Sequence, residues 1–496
     1  PFSFGNWWIL SWCGFIPLFL VLTNATRAES FWWAYATGVL FWGGVIFWLV
    51  HVTFIGTAIL VAYLALYFGI FGIFLRSCAL PSTSYAGMFF IPAAWVLLEY
   101  MRSVLFTGFP WALLGYSQCR VLPVIQVADI AGTWGVSFLV MVGNVCVWQV
   151  MVGIRDTVIG VRGPERAKRL RMMKTVLGGC FVVAASVGYG FFSLSRYPLP
   201  VTHDPIKISL IQANIPQELK WNSSAREYIL QKYFALSRDA AKDSPSLIVW
   251  PEASLPAIVE EEPQYLERIK DLVRRQEVPM LLGAVTERKD RYFNSALLIH
   301  QDAQTITAYH KLHLVPFGEY IPLRSILPFL ETVVPIGEMS RGGEYTLFQL
   351  RHWRFAVLIW FEDVFPELSA SFVKKGAQFL VNITNDAWYK RTSASYQHLQ
   401  ASVLRAVENR MPLVRAANTG ITASIAPTGK IISMVQNPAG EEIFIDGYIT
   451  SEVSPSLSRP AFYTRFPFLL PLICLCVVVG TFFRIFIKGK RAVAKS

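Results

Sequence analysis

Four places in the chain carry residue types that proton transfer and the holding of negative charge both use. Glu252 closes the run Leu247-Ile-Val-Trp-Pro-Glu252, and Glu362 closes Ala356-Val-Leu-Ile-Trp-Phe-Glu362. Lys311 and Glu319 share the stretch Tyr309-His-Lys-Leu-His-Leu-Val-Pro-Phe-Gly-Glu319-Tyr, and Asn385-Asp-Ala-Trp388 follows a further apolar run. Glu252, Glu362 and Asn385–Trp388 each lie where a strand should end, which is where open α/β sheets place their sites. Taken one at a time, each also reads as an ordinary solvated loop charge. His310 and His313 raise the question of a metal, but no third ligand with suitable spacing accompanies them, so no metal is expected. Glycine patterns for dinucleotide or phosphate binding do not occur between a strand and a helix.

These residues need a scaffold, and residues 201–463 supply one. Short β-branched runs fit strands at Ile206–Gln212, Ser246–Trp250, Met280–Val285, Asn294–His300, Phe355–Trp360, Gln378–Thr384, Leu413–Ala416, Ile421–Ala426 and Lys430–Val435. Helices fit at 224–242, 263–275 and 393–411, the first opened by Ser224-x-x-Glu227 as a capping box. Alternation of this kind predicts a layered α/β domain. The apolar stretch Leu323–Gly343 lacks a regular period and reads as a long loop, either packed on its own domain or dipping toward a bilayer as a lid.

The rest of the chain is different in kind. Overall 54% of residues are hydrophobic and 16% charged, against about 25% charged in a soluble domain. The apolar excess is concentrated in residues 1–200 and 464–487, with candidate membrane spans at 8–23, 33–51, 55–76, 87–104, 133–153, 174–194 and 464–486. The net charge of +12 gathers in the loop Arg155–Lys174 and the tail Arg484–Lys495. Both flank spans, so the charge is a topology signal rather than a nucleic-acid footprint. It places those segments in the cytoplasm and the 195–463 domain outside it. All seven cysteines lie in or beside the membrane segments. The outer domain therefore has neither a disulfide framework nor a thiol nucleophile.

Taken in order, the strand-end Glu, the Lys-x-His-Leu-Val-Pro-Phe-Gly-Glu-Tyr run and the Glu-Asp strand end resemble the nitrilase superfamily. Glu99-Tyr-Met-Arg102 with Thr107-Gly-Phe-Pro-Trp111 resembles the bacterial apolipoprotein N-acyltransferases, over essentially the whole chain. So do Gln212-Ala-Asn-Ile-Pro-Gln-Glu-Leu-Lys-Trp221, Asn385-Asp-Ala-Trp388 and the segment Arg405–Ile421. The resemblance implies a multi-span α-helical membrane domain plus an α/β nitrilase-like α-β-β-α sandwich, divided as 1–194, 195–463 and 464–496. It also implies a place in the bacterial inner membrane, with the sandwich on the periplasmic side. Against the family pattern the first membrane helix is missing, which would also explain an outside N-terminus.

The implied activity needs no cofactor. An acyl chain passes from a phospholipid donor to an enzyme cysteine, then to the free α-amino group of a diacylated apolipoprotein. Matched residue by residue, Glu252 is the base, Lys311 the triad lysine and Glu319 a supporting carboxylate. Trp221, Phe361, Glu362 and Trp388 match positions lining or bracing the site. Glu99 and Arg102, three apart on one helix face, are membrane-domain candidates, as a functional pair or a plain structural one. The nucleophile position does not match. It holds Trp360, which has a weak N–H donor and nothing that can attack a carbonyl. Three explanations stand open: a catalytically inactive lipid- or lipoprotein-binding homologue, a recent or accidental change of Cys to Trp, or another nucleophile such as water activated by Glu252.

Overall fold

The computed structural model describes residues 7–79, 85–158, 165–196, 204–316, 318–320, 338–457 and 459–493. Most of the loop expected at Leu323–Gly343 lies outside the described residues. The chain forms two compact units: residues 1–196 with 466–496, and residues 197–465.

The first unit is helical. Its longer helices are Arg27–Val45, Phe54–Phe74, Tyr85–Val104, Ala128–Val158, Glu165–Arg196 and Leu469–Val493. Among the described residues, four stretches are long and apolar enough to cross a membrane: Phe54–Ser77, Ala128–Arg155, Leu170–Arg196 and Leu469–Ile487. The span expected at 8–23 is instead a 3-10 turn, Trp7–Trp12, followed by the short helix Ile16–Leu22. The span expected at 33–51 is shifted toward the N-terminus, because Thr26 and Glu29 form a reciprocal capping box. The Glu29 N–H donates to Thr26 Oγ1 at 3.3 Å and the Thr26 N–H to Glu29 Oε2 at 2.7 Å. This helix and Phe54–Phe74 approach closely. A side chain at Gly72 would collide with the Ser30 carbonyl, a small-residue contact of the kind that lets membrane helices pack backbone to backbone.

The second unit holds two six-stranded sheets. In the first, β1 (Ile206–Gln212), β2 (Leu247–Val249) and β3 (Met280–Glu287) run parallel. Antiparallel β4 (Tyr292–Ile299) and β5 (Ile306–His310) extend one edge, and β12 (Gly447–Val453) extends the other. In the second, β7 (Trp353–Ile359), β8 (Phe379–Thr384) and β9 (Leu413–Ala417) are the parallel centre. They are flanked by β6 (Phe348–Leu350) on one side and by β10 (Ala423–Ile425) and β11 (Ile431–Met434) on the other. β8 and β9 are buried at every position, which is why they read as continuous apolar runs rather than alternating ones. The sheets meet through β1 with β9 and β4 with β7. Arg226–Ala241 packs outside the first sheet, and Pro366–Lys374 and Ala394–Asn409 pack on the second, giving an α-β-β-α sandwich.

Sequence pattern and structure part company at three strands and one cap. β5, β6 and β12 carry half-exposed or very short patterns and were not expected. The Ser224–Glu227 capping box does not form. Asn222 Oδ1 accepts from the Ser224 N–H at 3.0 Å, so Ser224 lies inside a 3-10 turn. Glu227 instead accepts from Arg268 Nη1 at 2.7 Å.

Candidate active site

The strands of the first sheet bring three of the expected residues together. Glu252 follows β2, and Lys311 follows β5. Asn294, inside β4, links them. Its amide nitrogen donates to Glu252 Oε1 at 2.7 Å and to Glu319 Oε1 at 2.9 Å. Lys311 is fully buried, and its ammonium donates to both Glu319 oxygens at 2.9 and 2.8 Å. The Val315 N–H also donates to Glu319 Oε2 at 2.9 Å, which fixes the carboxylate from its own turn. Behind Glu252 lies a second buried lysine: Lys220 Nζ donates to the Glu252 carbonyl at 3.1 Å.

Burial and these charges act on Glu252 in opposite directions. Desolvation pushes its carboxyl up, Lys311 pulls it back, Glu319 pushes it up again, and the Asn294 bond and Lys220 pull it down. The balance is a pKa of about 7. Burial pushes the Lys220 ammonium down to about 8, with Glu252 opposing. A carboxyl poised near neutrality beside a buried ammonium is suited to taking and returning a proton.

Position 360 sits where β7 gives way to a 3-10 turn, Trp360–Val364. Its φ of 49° is left-handed, a conformation non-glycine residues hold at a cost of about 1–2 kcal/mol. The surroundings fix it: the Trp360 carbonyl accepts from Asn382 Nδ2 and lies 3.2 Å from His398 Nε2. The indole is half-buried. Its centroid is 4.8 Å from Lys311 Nζ, and it stacks on Tyr389 at 6.1 Å. Bulk at this position therefore covers the lysine, as its size implies. Phe361 is buried and packs edge-on against Phe365.

Glu362 braces the site from beneath. Fully buried, its Oε1 accepts from Tyr309 Oη at 2.8 Å, the Leu312 N–H at 2.7 Å and the His313 N–H at 3.1 Å. Its Oε2 accepts from the Ile359 N–H at 2.8 Å. One carboxylate thus fastens the turn carrying Lys311 to the turn carrying Trp360, although burial pushes its pKa up to about 7 against these bonds.

Trp221 and Trp388 are about half exposed, 50% and 48%, on turns that Asn385 joins by donating to Gln217 Oε1 at 2.8 Å. They form a rim rather than part of the buried cluster. His310 and His313 have separate surroundings: His310 Nδ1 is 2.8 Å from Ser295 Oγ, and the His313 ring lies tilted against Phe365. In the helical unit, Glu99 and Arg102 both act on the loop that follows their helix. Arg102 Nη1 donates to the carbonyls of Phe109 and Trp111, the latter at 2.9 Å, and the Leu114 N–H donates to Glu99 Oε1 at 2.7 Å. Both also border a cavity of about 260 Å³ among Leu10, Phe15, Phe68 and Trp95.

A second cluster was not singled out from the sequence. Asp363, Asp386, His398 and Arg415 are all fully buried behind position 360. Arg415 reaches Asp363 Oδ2 and Asp386 Oδ2, each at 3.2 Å. Burial and Arg415 push the His398 imidazolium down, but the two carboxylates outweigh them and its pKa rises. The signal was present as polar residues inside apolar runs: Asn382 in β8 and Arg415 in β9 for this cluster, as Asn294 in β4 was for the first. A buried polar group in a strand requires a partner.

Comparison with known proteins follows this geometry. Residues 207–459 match the carbon-nitrogen hydrolase family, and residues 1–146 match the apolipoprotein N-acyltransferase N-terminal domain. An apolipoprotein N-acyltransferase of Geobacter metallireducens is 39% identical over 457 residues, covering 89% of this chain and 85% of the relative. One from Brucella suis is 32% identical over 458 residues, covering 86% and 82%. Among solved structures, a nitrilase-superfamily amidase of Nesterenkonia is similar to 54% of this chain and 96% of its own, at 17% identity and a TM-score of 0.41.

Proposed function

This chain belongs to the apolipoprotein N-acyltransferase family, and from that membership we propose that its sandwich domain is built to move an acyl chain from a membrane phospholipid to an N-terminal diacylglyceryl-cysteine. In this reading the domain lies outside the cytoplasm, at the periplasmic face of the inner membrane. Glu252 is the base, Lys311 holds the oxyanion, Glu319 and Glu362 position the lysine, and position 360 is the nucleophile's place.

With a thiol at 360 the steps balance. Glu252 takes the thiol proton as sulfur attacks the donor ester carbonyl, and negative charge gathers on the carbonyl oxygen beside Lys311. The C–O bond breaks, and the lysophospholipid alcohol leaves with the proton from Glu252. The lipoprotein amine then attacks the thioester, Glu252 takes its proton, and the C–S bond breaks as Glu252 passes that proton to sulfur, returning the thiol and the free carboxylate. Trp360 can perform neither the attack nor the departure, so the chain as written forms no thioester.

The observation that carries this reading is the complete, buried Glu252–Asn294–Glu319–Lys311 cluster facing position 360. A second reading has its own support. The indole over Lys311 suits a homologue that binds lipid or lipoprotein without chemistry. One experiment separates them: N-acylation of a diacylated lipopeptide by the chain as written and by Trp360→Cys, with phospholipid as donor. Activity confined to the cysteine variant supports the first reading. Inactivity of both supports the second. Equal activity of both refutes the role given to position 360 and points to another nucleophile, such as water activated by Glu252.

A further inference from the structure

The backbone at position 360 is strained, and strain of this kind persists only where surrounding groups hold it. Two side chains reach its carbonyl: Asn382 Nδ2 from β8 and His398 Nε2 from the helix Ala394–Asn409, each at 3.2 Å. His398 does more than touch this carbonyl. Its Nε2 is also 2.8 Å from Asp363 Oδ1, and its Nδ1 is 3.0 Å from Asp386 Oδ1 and 2.8 Å from Arg415 Nη2. Asp363 belongs to the turn begun by Trp360. Asp386 begins the turn Asp386–Tyr389, which carries Trp388 and the Tyr389 ring stacked on Trp360.

We propose that His398 is a positioning residue: through Nε2 it holds the carbonyl at position 360 in its left-handed turn, and through Nδ1 it ties that turn to the one carrying Trp388 and Tyr389. The two nitrogens divide the work. Nδ1 either donates to Asp386 or accepts from Arg415. In both states Nε2 keeps its hydrogen, directed at Asp363 and the carbonyl of 360. The grip on the backbone therefore survives a change in the charge of the imidazole. Asn382 is itself held in place, since Arg415 Nη1 donates to its Oδ1 at 2.8 Å. The device acts on backbone atoms, so it is present whichever side chain occupies 360.

The test rests on the acyl-transfer reading, and its two arms keep the failures apart. In the Trp360→Cys background, His398→Gln places an amide N–H where Nε2 was, and His398→Asn places one only where Nδ1 was. Both variants lose the imidazole and leave one carboxylate short of a partner, Asp386 in His398→Gln and Asp363 in His398→Asn. Each loses one carboxylate contact, so a difference between them reports the Nε2 contacts to the turn of position 360, its carbonyl and Asp363, rather than general destabilisation. Acyl-adduct formation is followed by mass spectrometry in a single turnover over a range of phospholipid concentrations. A displaced nucleophile loses rate without losing lipid binding, so His398→Asn should be about 10²-fold slower than the parent with an unchanged half-saturating lipid concentration. His398→Gln should recover most of that rate. Equal rates in the two variants, or a loss carried by the half-saturating concentration, overturn the proposal. If the parent itself forms no adduct, acyl transfer fails as the function, and the positioning role is read from alkylation of the thiol at 360 by iodoacetamide. Slower alkylation in His398→Asn than in His398→Gln then supports the role, and equal alkylation sinks it.

Discussion

With a pKa of about 7, Glu252 should write its own titration into the pH dependence of the reaction. The perturbation is pH, applied to Trp360→Cys, because only a thiol makes the base visible. A base with this pKa is about one-tenth ionised at pH 6 and about nine-tenths ionised at pH 8, so single-turnover acylation should rise roughly tenfold across that interval. A glutamate at its ordinary value would give a flat profile there. A thiol titrating by itself would also give a rise, so the decisive arm is Lys220→Met. Lys220 favours the charged form of Glu252, and its removal should move the midpoint to higher pH, with Lys220→Arg holding it in place. The assay is adduct mass by intact-protein spectrometry at a series of pH values, with Glu252→Gln as a blank that forms none. A profile flat between pH 6 and 8, or a midpoint that ignores Lys220→Met, would falsify the assignment of Glu252 as the titrating base.

Three other outcomes are expected. Asn294→Leu removes the amide shared by Glu252 and Glu319, two bonds to charged groups at about 1.5–3 kcal/mol each; it should lower the melting temperature and abolish adduct formation, and an unchanged melt would mean the carboxylates find other partners. Arg415→Met leaves Asp363 and Asp386 buried without their guanidinium at a cost of about 3–5 kcal/mol; thermal unfolding in detergent should register it, and a loss under about 1 kcal/mol would contradict the ionic reading of that cluster. Alkaline phosphatase should be active when fused near residue 300 and silent in the 154–175 loop, and the reverse pattern overturns the outward placement of the domain.

The sequence exposed most of what periodicity and composition can encode. Central strands such as β8 and β9 read directly, because burial on both faces makes them uninterrupted apolar runs. Glu252 and Glu362 stood out as charges at strand ends, while Lys311 and Glu319 stood out only through the run they share; in the structure Asn294 joins Glu252 to Glu319, which holds Lys311. What escaped were features defined by a partner distant in the chain. β12 pairs with β1 across more than two hundred residues, and its half-exposed pattern gives no local signal. Asn294 is one polar residue in a strand until two carboxylates converge on it. Ser224 and Glu227 had the spacing of a capping box yet lost to Asn222 and Arg268, whereas Thr26 and Glu29 formed one unremarked. Spacing names the groups able to bond, and geometry decides which of them do.

The carboxylate of Glu362 has a consequence for how such a site can diversify. By bolting the Lys311 turn to the Trp360 turn through three backbone N–H groups and a phenol, it makes the separation of Lys311 and position 360 a constant of the scaffold. Substitutions around the site cannot adjust that separation gradually; they either leave the bolt in place or release both turns together. Change without loss of that bolt is left to the rim, where Trp221 and Trp388 stand half in solvent on turns joined to each other through Asn385 and Gln217. The buried carboxylate cluster is inherited as a block, and its border is free to drift.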